Sequence, residues 1–258
     1  MRRFWLALAA LLLLGAGRAE AKWQSVLQTV IASGGGGGAV SYKWSNGATA
    51  NFTGITSVAI GKDFPAGSCG TFSAGDFLVS AVSVWTNGGS APGTISTPTG
   101  WTLGGNGTPT SDTQVAWFYK FATGSESCST GFSASWTTST VFVSWGIADF
   151  NSSGSGPTLD VAGTITAGST GAGTALTASS ISPTGSTDML IYVAGSSGQK
   201  GPYTGPSGFT TPINTSAADT IVLISYNTLS ASGATGSVSA ASTSTFDAYA
   251  AALVAIKP

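Results

Sequence analysis

The hydrophobic positions of this chain fall in short runs separated by turn-forming residues. The runs are rich in Val, Ile, Phe, Tyr and Trp and are bounded by Gly, Pro, Asn, Asp and Ser. Such runs predict β-strands, and they lack the three-to-four-residue spacing of an amphipathic helix. We therefore predict an all-β domain from about residue 50 to residue 258.

The strand pattern occurs twice. The first half contains GDFLVSAVSV, TPTGWT, TQVAWFYKFAT, TGFSASWTTST and VSWGIADF, and the second half answers in order with TDMLIYVAGS, GPSGFT, TIVLISYNTLS, TGSVSAASTST and AAALVAI. This order predicts an internal duplication with halves at about 70–150 and 181–258. The alignment places Phe209 opposite Trp101 and Leu223 opposite Trp117.

The repeated turns and their flanking residues have a structural interpretation. Pro and Gly in TPTGWT and GPSGFT favour tight turns, and the aromatic residue that follows is expected to pack on the core. Asp76 and Asp188 each precede a strand, where Asp commonly caps a turn. Four or five strands per half are too few to close a core alone, so we expect both halves to form one antiparallel two-sheet β-sandwich.

The N-terminus has the layout of a secretory signal peptide over residues 1–21. Arg2 and Arg3 precede an apolar run and an Ala-Glu-Ala cleavage site that ends at Ala21. The alternative is an uncleaved membrane anchor, but the apolar run is shorter than the roughly 20 residues of a spanning helix. We expect cleavage after Ala21, export of the chain and no membrane span in the mature protein.

Residues 22–49 form a short N-terminal arm and a poly-Gly tether in this prediction. Large apolar residues recur on one face of a potential helix, although their β-branched content also favours an extended strand. The arm is expected to dock either on its own domain or on a neighbouring copy, which would make it a site of homo-oligomerisation. Its apolar residues are Trp23, Val26, Leu27, Val30 and Ile31.

Charge excludes one class of partner. Without residues 1–21 the chain keeps six lysines and nine carboxylates, and six minus nine gives a net charge of −3. It has no basic cluster, so nucleic-acid binding is not expected. Charged residues are only 7% of the chain, far below the roughly 25% of ordinary soluble domains, which is typical of a surface solvated by hydroxyl groups.

The two cysteines, Cys69 and Cys128, predict one disulfide in an exported protein. The alternatives are two free thiols or an intermolecular bridge. A cysteine pair in a chain without histidine is too small a set for a structural zinc site.

The residue inventory argues against an enzyme. Histidine is absent, which removes Ser-His-Asp and Cys-His catalysis, and the glycine run lacks the ending of a phosphate-binding loop. Asp149, Asn151 and Asp160 could offer oxygens to calcium, but their spacing matches no known calcium loop. We therefore predict no catalytic residue, no metal and no cofactor.

Aromatic residues give the remaining candidate binding site. Trp85 stands next to TNGGSAPG, and Tyr203 lies in GQKGPYTGPSG, where strand ends and loops are expected. Exposed Trp or Tyr rings at such places stack on sugar rings. We take Trp85 and Tyr203 as the candidate ligand surface, while most other tryptophans are expected in the core.

The order GDFLV, TPTGWT, VAWFYKFAT, WGIADF and ALVAIKP over about residues 70–258 resembles a family of jelly-roll proteins. Its members occur as tailed-phage virion and tail-fibre-associated proteins and as secreted bacterial proteins. The resemblance implies a jelly-roll type of sandwich and a structural or surface-binding role without catalytic residues. The predicted signal peptide favours the secreted branch.

These inferences predict a non-catalytic, secreted structural or adhesive protein. Its expected partners are components of a cell or particle surface, including glycans, and further copies of itself. The alternative function is a carbohydrate-binding module that uses exposed aromatic rings.

Overall fold

The computed structural model shows a chain built from β-strands. The described residues are 38–62, 70–86, 88, 90–169, 175–198, 203–215, 219–242 and 248–258. Within these ranges no helix occurs, and therefore none that could span a membrane. The all-β prediction is confirmed for this part of the chain. The predicted signal peptide, the apolar arm and Cys69 lie outside it.

Fourteen strands are present in the described ranges. They are β1 (Val40–Ile60), β2 (Phe77–Trp85), β3 (Thr102–Thr110), β4 (Thr113–Phe121), β5 (Phe132–Ser152), β6 (Thr158–Ala162), β7 (Thr166–Ser169), β8 (Ala175–Ala178), β9 (Met189–Ser197), β10 (Tyr203–Thr204), β11 (Thr210–Asn214), β12 (Thr220–Thr228), β13 (Val238–Ser242) and β14 (Ala248–Lys257). Strand β1 begins at Val40, so the sandwich starts within the segment that the sequence assigned to the tether.

The strands form three antiparallel sheets. The first sheet has the order β1-β5-β2-β4-β3, and the second has β11-β12-β9-β14-β6, with β7 also paired to β14. The third sheet is β10-β13-β8. We call β1 to β5 the first half of the molecule and β6 to β14 the second half.

The two halves repeat one strand order. Read from its β6 edge, the second sheet places β6, β14, β9, β12 and β11 where the first sheet has β1, β5, β2, β4 and β3. Asp76 and Asp188 directly precede the matching strands β2 and β9. The sequence phrases that recur in order therefore build matching strands.

The strand register corrects one detail of the sequence alignment. Ala81, five residues after Asp76, pairs with Trp117, whereas Val193, five residues after Asp188, pairs with Ile224. The counterpart of Trp117 is therefore Ile224, and the alignment with Leu223 was wrong by one residue. In a strand such a slip moves a side chain to the opposite face, and Leu223 does lie in a different core from Trp117.

The side chains fill three cores. The central core lies between the first and second sheets and contains Phe77 and Phe150 from one sheet and Ile191 and Val254 from the other. The first outer core covers the opposite face of the first sheet, and the second outer core lies between the second and third sheets. Layers of this kind allow every apolar sheet face to be buried.

Each half closes a core of its own, contrary to the expectation that it has too few strands. In the first half β1 and β5 are 21 residues long, and their far ends contribute Val58, Ile60, Ala134 and Trp136 to the first outer core. In the second half the separate strands β8 and β13 cover the sheet in the same way. Long or additional strands supply the layer that the sequence runs did not reveal.

Buried hydroxyl groups join the halves at one end of the central core. Ser83 donates to the Ser196 carbonyl at 3.1 Å, and Ser144 donates to the Thr220 carbonyl at 2.7 Å. The hydroxyl of Thr113 lies 2.6 Å from that of Ser197. Because buried hydroxyls need partners, these bonds fix the two halves in register.

Candidate functional sites

Trp85, the first predicted ligand-binding residue, lies at the end of β2 and is partly exposed. Its ring stacks on Phe142 with centroids 5.2 Å apart and an interplanar angle of 25°. Its indole N–H donates to an Asp112 carboxylate oxygen at 2.9 Å, and the same oxygen accepts the N–H of Gly88. The ring is thus held in place at a loop end and stays partly exposed to solvent.

Tyr203, the second predicted ligand-binding residue, does not lie on the surface. It is 4% exposed and belongs to the second outer core, and its hydroxyl lies 3.1 Å from that of Ser196. The sequence indicated a strand end or a loop here, and Tyr203 does begin the short strand β10, but that strand is paired to β13. Pairing to the third sheet turns its ring inward, so it cannot stack on a ligand at the surface beside Trp85.

Other tryptophans of the first half are also internal. Trp101, Trp117, Trp136 and Trp145 are each at most 8% exposed. The large hydrophobic side chains exposed in the described ranges are Leu103 and Phe121. Partly exposed aromatic residues occur at several further places, among them Tyr42 and Tyr226, whose rings stack on each other with centroids 5.2 Å apart.

A shallow cleft of about 300 Å³ separates the edges of the first two sheets. Strand β1 lines it with residues 45–48, and β11 and its end line it with residues 212–215. The Ser45 hydroxyl bridges the cleft to the Pro212 carbonyl at 3.3 Å. The lining contains no carboxylate or lysine, so the cleft offers hydrogen bonds and small apolar surfaces only.

A charged cluster lies where β1, β2 and β5 meet. Lys43 stands at a register shift between Tyr42 and Trp44, which is a β-bulge that re-aims its side chain. Its Nζ lies 2.5 Å from an Asp76 oxygen and 3.5 Å from an Asp149 oxygen. We call Lys43, Asp76 and Asp149 the lysine cluster.

The two carboxyl groups of the lysine cluster have different environments. Asp76 accepts the backbone N–H of Ser73 at 2.7 Å, which confirms the predicted turn cap. Asp149 is fully buried, and the Lys43 ammonium and the Trp44 indole N–H face its carboxyl without reaching normal hydrogen-bond geometry. Burial raises the pKa of Asp149 to about 7, the nearby charge of Asp76 acts in the same direction, and the Lys43 ammonium opposes them.

A second charged cluster occupies the matching place in the second half. Asp160 stands at the bulge between Leu159 and Val161, and its carboxylate lies 2.7 Å from Lys257 Nζ. It also accepts the backbone N–H and hydroxyl of Thr184. Burial alone would raise the pKa of Asp160, but these bonds hold that pKa well below its ordinary value. We call Asp160, Asp188 and Lys257 the aspartate cluster.

The duplication relates the two clusters, but the bulged position is a lysine in the first half and an aspartate in the second half. The bulge that carries Lys43 in β1 carries Asp160 in β6, and each faces the Asp that precedes the next matching strand. Burial and the neighbouring Asp160 raise the pKa of Asp188. Asp149, by contrast, has no acidic counterpart, since the register places Ala255 at its position.

The sequence interpretation missed the lysine cluster, although one signal was present. Val143, Trp145 and Ile147 alternate along β5 into the first outer core, and Asp149 is the next position on that face. A carboxyl that replaces an apolar residue in such a register indicates a buried polar site.

The three calcium candidates of the sequence do not come together in the structure. Asp149 contacts Lys43, Asp160 contacts Lys257, and Asn151 accepts a hydrogen bond from Ser41. The described ranges contain no acidic, Cys or His group suited to a metal ion.

Cys128 is buried in the first outer core and is not a free thiol. Its Sγ lies 2.9 Å from the place that a Cβ on Gly61 would occupy, so only glycine fits there. Cys69 lies outside the described residues, and the bond between the two cysteines stays a prediction.

No protein-family model, curated protein or solved structure matches this chain. The resemblance to the jelly-roll family therefore stays a prediction, and the functional argument rests on the fold and its side chains.

Proposed function

We propose that this chain is a non-catalytic, secreted structural or adhesive protein with a jelly-roll type of sandwich. The observation that supports this most directly is the use of its side chains: aromatic rings fill stacked cores, and hydroxyl groups pair on the outside. Such a body offers a rigid, weakly charged surface rather than a reaction centre.

The exposed hydroxyl pairs connect neighbouring chain segments. Ser96 and Ser135 lie 2.9 Å apart, Thr177 and Ser239 lie 2.8 Å apart, and Thr166 and Ser179 lie 2.8 Å apart. Hydroxyl pairs across strands add stability without charge. They suit an extracellular protein because their strength does not depend on ionic strength, unlike that of surface ion pairs.

The first experiment concerns location. Antibodies raised against residues 38–258 should label the outside of intact producing cells or particles, and N-terminal sequencing of the released protein should begin at Lys22. A protein that remains in the cytosol with Met1 at its N-terminus would overturn the proposal.

The second experiment concerns self-association through Trp23, Val26, Leu27, Val30 and Ile31. Analytical ultracentrifugation of the secreted chain should show oligomers that disappear when residues 22–38 are deleted. A monomer at high concentration would remove the self-associating form of the proposal and leave a surface protein that acts singly.

Trp85 favours a second candidate, a carbohydrate-binding module. Its ring is partly exposed and held in place, as sugar stacking requires. Binding on a glycan array that is lost in Trp85→Ala, but kept in the buried-site control Tyr203→Phe, would support this function. A blank array at high protein concentration would exclude it.

A further inference from the structure

We propose that the chain forms an intramolecular isopeptide bond between the Nζ of Lys43 and the side-chain carboxyl carbon of Asp149, with Asp76 as the proton acceptor. The proposal is independent of the surface function above. It rests on the placement of a buried carboxyl and a second carboxylate within 3.5 Å of one amine, the Nζ of Lys43.

The reacting groups are held by neighbouring strands. Strand β1 pairs with β5, and Trp44 stands opposite Asp149 in that ladder. The Nζ of Lys43 lies 3.5 Å from an oxygen of the Asp149 carboxyl group, whose carbon it would attack. Because Asp149 and the residues on either side of Lys43 are paired in the ladder, the reaction avoids the entropy cost of a bimolecular encounter.

Asp149 is poorly explained as a structural ion-pair partner. Its carboxyl is fully buried and receives only imperfect hydrogen bonds from Lys43 and Trp44, while Lys43 makes its closest contact with Asp76. An unsatisfied buried carboxyl costs free energy. An amide at this position would remove the ionisable group and hence that cost.

The local chemistry favours amide formation over an ion pair. The raised pKa keeps a large fraction of Asp149 protonated at neutral pH, and a carboxylic acid is a far better acylating group than a carboxylate. Asp76 is positioned to take a proton from the Lys43 ammonium, which releases the lone pair for attack. Water would hydrolyse the amide, so the exclusion of water from the buried site favours the linked product.

The step balances without a further reactant. The Nζ–C bond forms and the C–OH bond of Asp149 breaks. The ammonium of Lys43 gives one proton to Asp76 and another to the departing hydroxyl, which leaves as water. The products are the amide, one water and protonated Asp76, which then loses its proton to solvent, and no group is oxidised or reduced.

The aspartate cluster provides an internal control. Lys257 lies 2.7 Å from Asp160, a shorter distance than Lys43 to Asp149. Asp160, however, is an ionised carboxylate held by two bonds from Thr184. Proximity alone should therefore produce no bond there.

Mass spectrometry of the secreted, reduced full chain tests the proposal. The intact mass should be lower than the sequence mass, counted from the sequenced N-terminus, by one water. Trypsin should fail to cut after Lys43 and should yield peptide 23–62 joined to peptide 121–200. Separate peptides 23–43 and 44–62 together with a full intact mass would overturn the proposal.

Variants separate the roles of the three groups. Lys43→Arg and Asp149→Ala should restore the full mass, and Asp76→Ala should leave most of the protein unlinked. Asp149→Asn should give a linked product of the same mass as the wild type, because ammonia leaves in place of water. Peptide 201–258 should stay unlinked to peptide 121–200 in every sample, and a link there in place of the Lys43 link would also overturn the assignment.

Discussion

The two halves of the molecule share a strand order but fill their outer cores differently. The first half has Trp145 and Ser80 where the second has Ala251 and Tyr192, all four buried. The large ring has moved to a neighbouring position of the same sheet face, and the Tyr192 hydroxyl bonds the Leu176 carbonyl at 2.6 Å. The difference shows that a duplicated backbone tolerates exchanged volumes, provided that each core stays full.

The largest effect is expected from emptying these two positions. Trp145→Ala and Tyr192→Ala should each lower the free energy of unfolding by about 3 to 5 kcal/mol, because each leaves a cavity in an outer core. Urea unfolding followed by far-UV circular dichroism measures both. If the central core makes the halves cooperative, each variant shifts one common transition, whereas two separate transitions would show that the halves unfold independently.

A second comparison concerns pH, with the lysine cluster kept unlinked by Lys43→Arg. The pKa of Asp149 is raised to about 7 in the folded chain. The stability that protonated Asp149 adds to the folded state is therefore fully present below about pH 4 and is lost as the pH rises to about 7. Over this pH range the free energy of unfolding should decline by up to about 4 kcal/mol. Lys43→Arg with Asp149→Asn should lack this decline, and equal slopes in both variants would contradict the assignment. Linked wild type should also lack it, because an amide does not titrate there.

The hydroxyl bonds between the halves should contribute less. Ser144→Ala leaves the buried Thr220 groups short of one donor, and a loss of about 1 to 2 kcal/mol is expected. Ser239→Ala removes only the exposed hydroxyl pair with Thr177 and should cost within about 0.5 kcal/mol. Thermal unfolding of the two variants side by side checks this order, and equal losses would contradict it.

A smaller effect than that of Ser144 is expected at Glu126, in the loop between β4 and β5. The matching loop of the second half, residues 229–237, has no carboxylate. Glu126 lies 2.7 Å from Lys120 and accepts the N–H groups of Thr123 and Gly124. Burial alone would raise its pKa, but these bonds lower it to about 2.

Glu126→Gln should therefore cost about 1 kcal/mol or less at neutral pH. A lowered pKa gives stability that is present above about pH 4 and is lost as pH falls to about 2. The difference between variant and wild type should disappear near pH 2 and shrink in high salt. A difference that persists at pH 2 would show that packing, not charge, is responsible.

The sequence predicted the all-β class, the duplicated phrases and the turn caps, because each depends on a local pattern. Asp76 and the Pro-Gly turns could be interpreted without knowing their neighbours. The layers could not, since the covering ends of β1 and β5 depend on contacts between distant parts of the chain. Tyr203 was wrongly placed for the same reason, because its pairing with β13 turns a loop-like sequence inward.

The lysine cluster could be predicted only in part. Asp149 breaks an apolar alternation that is visible in the sequence, but its partner Lys43 is distant in the chain and reaches it only through a bulge. No spacing rule connects the two residues. Comparison with the matching bulge in β6 could have shown which residue Lys43 contacts. That bulge, however, carries an aspartate instead of a lysine, and the sequence around it is dissimilar.

The edges of the first two sheets follow a rule of their own. Outer strands β3 and β11 contain Pro109 and Pro212, which cannot donate a backbone hydrogen bond, while the opposite outer strands β1 and β6 carry the bulged charges of Lys43 and Asp160. Prolines, bulges and charges are the features by which proteins prevent their edge strands from pairing with another chain. Crowded copies of this protein should thus resist edge-to-edge pairing through these four outer strands.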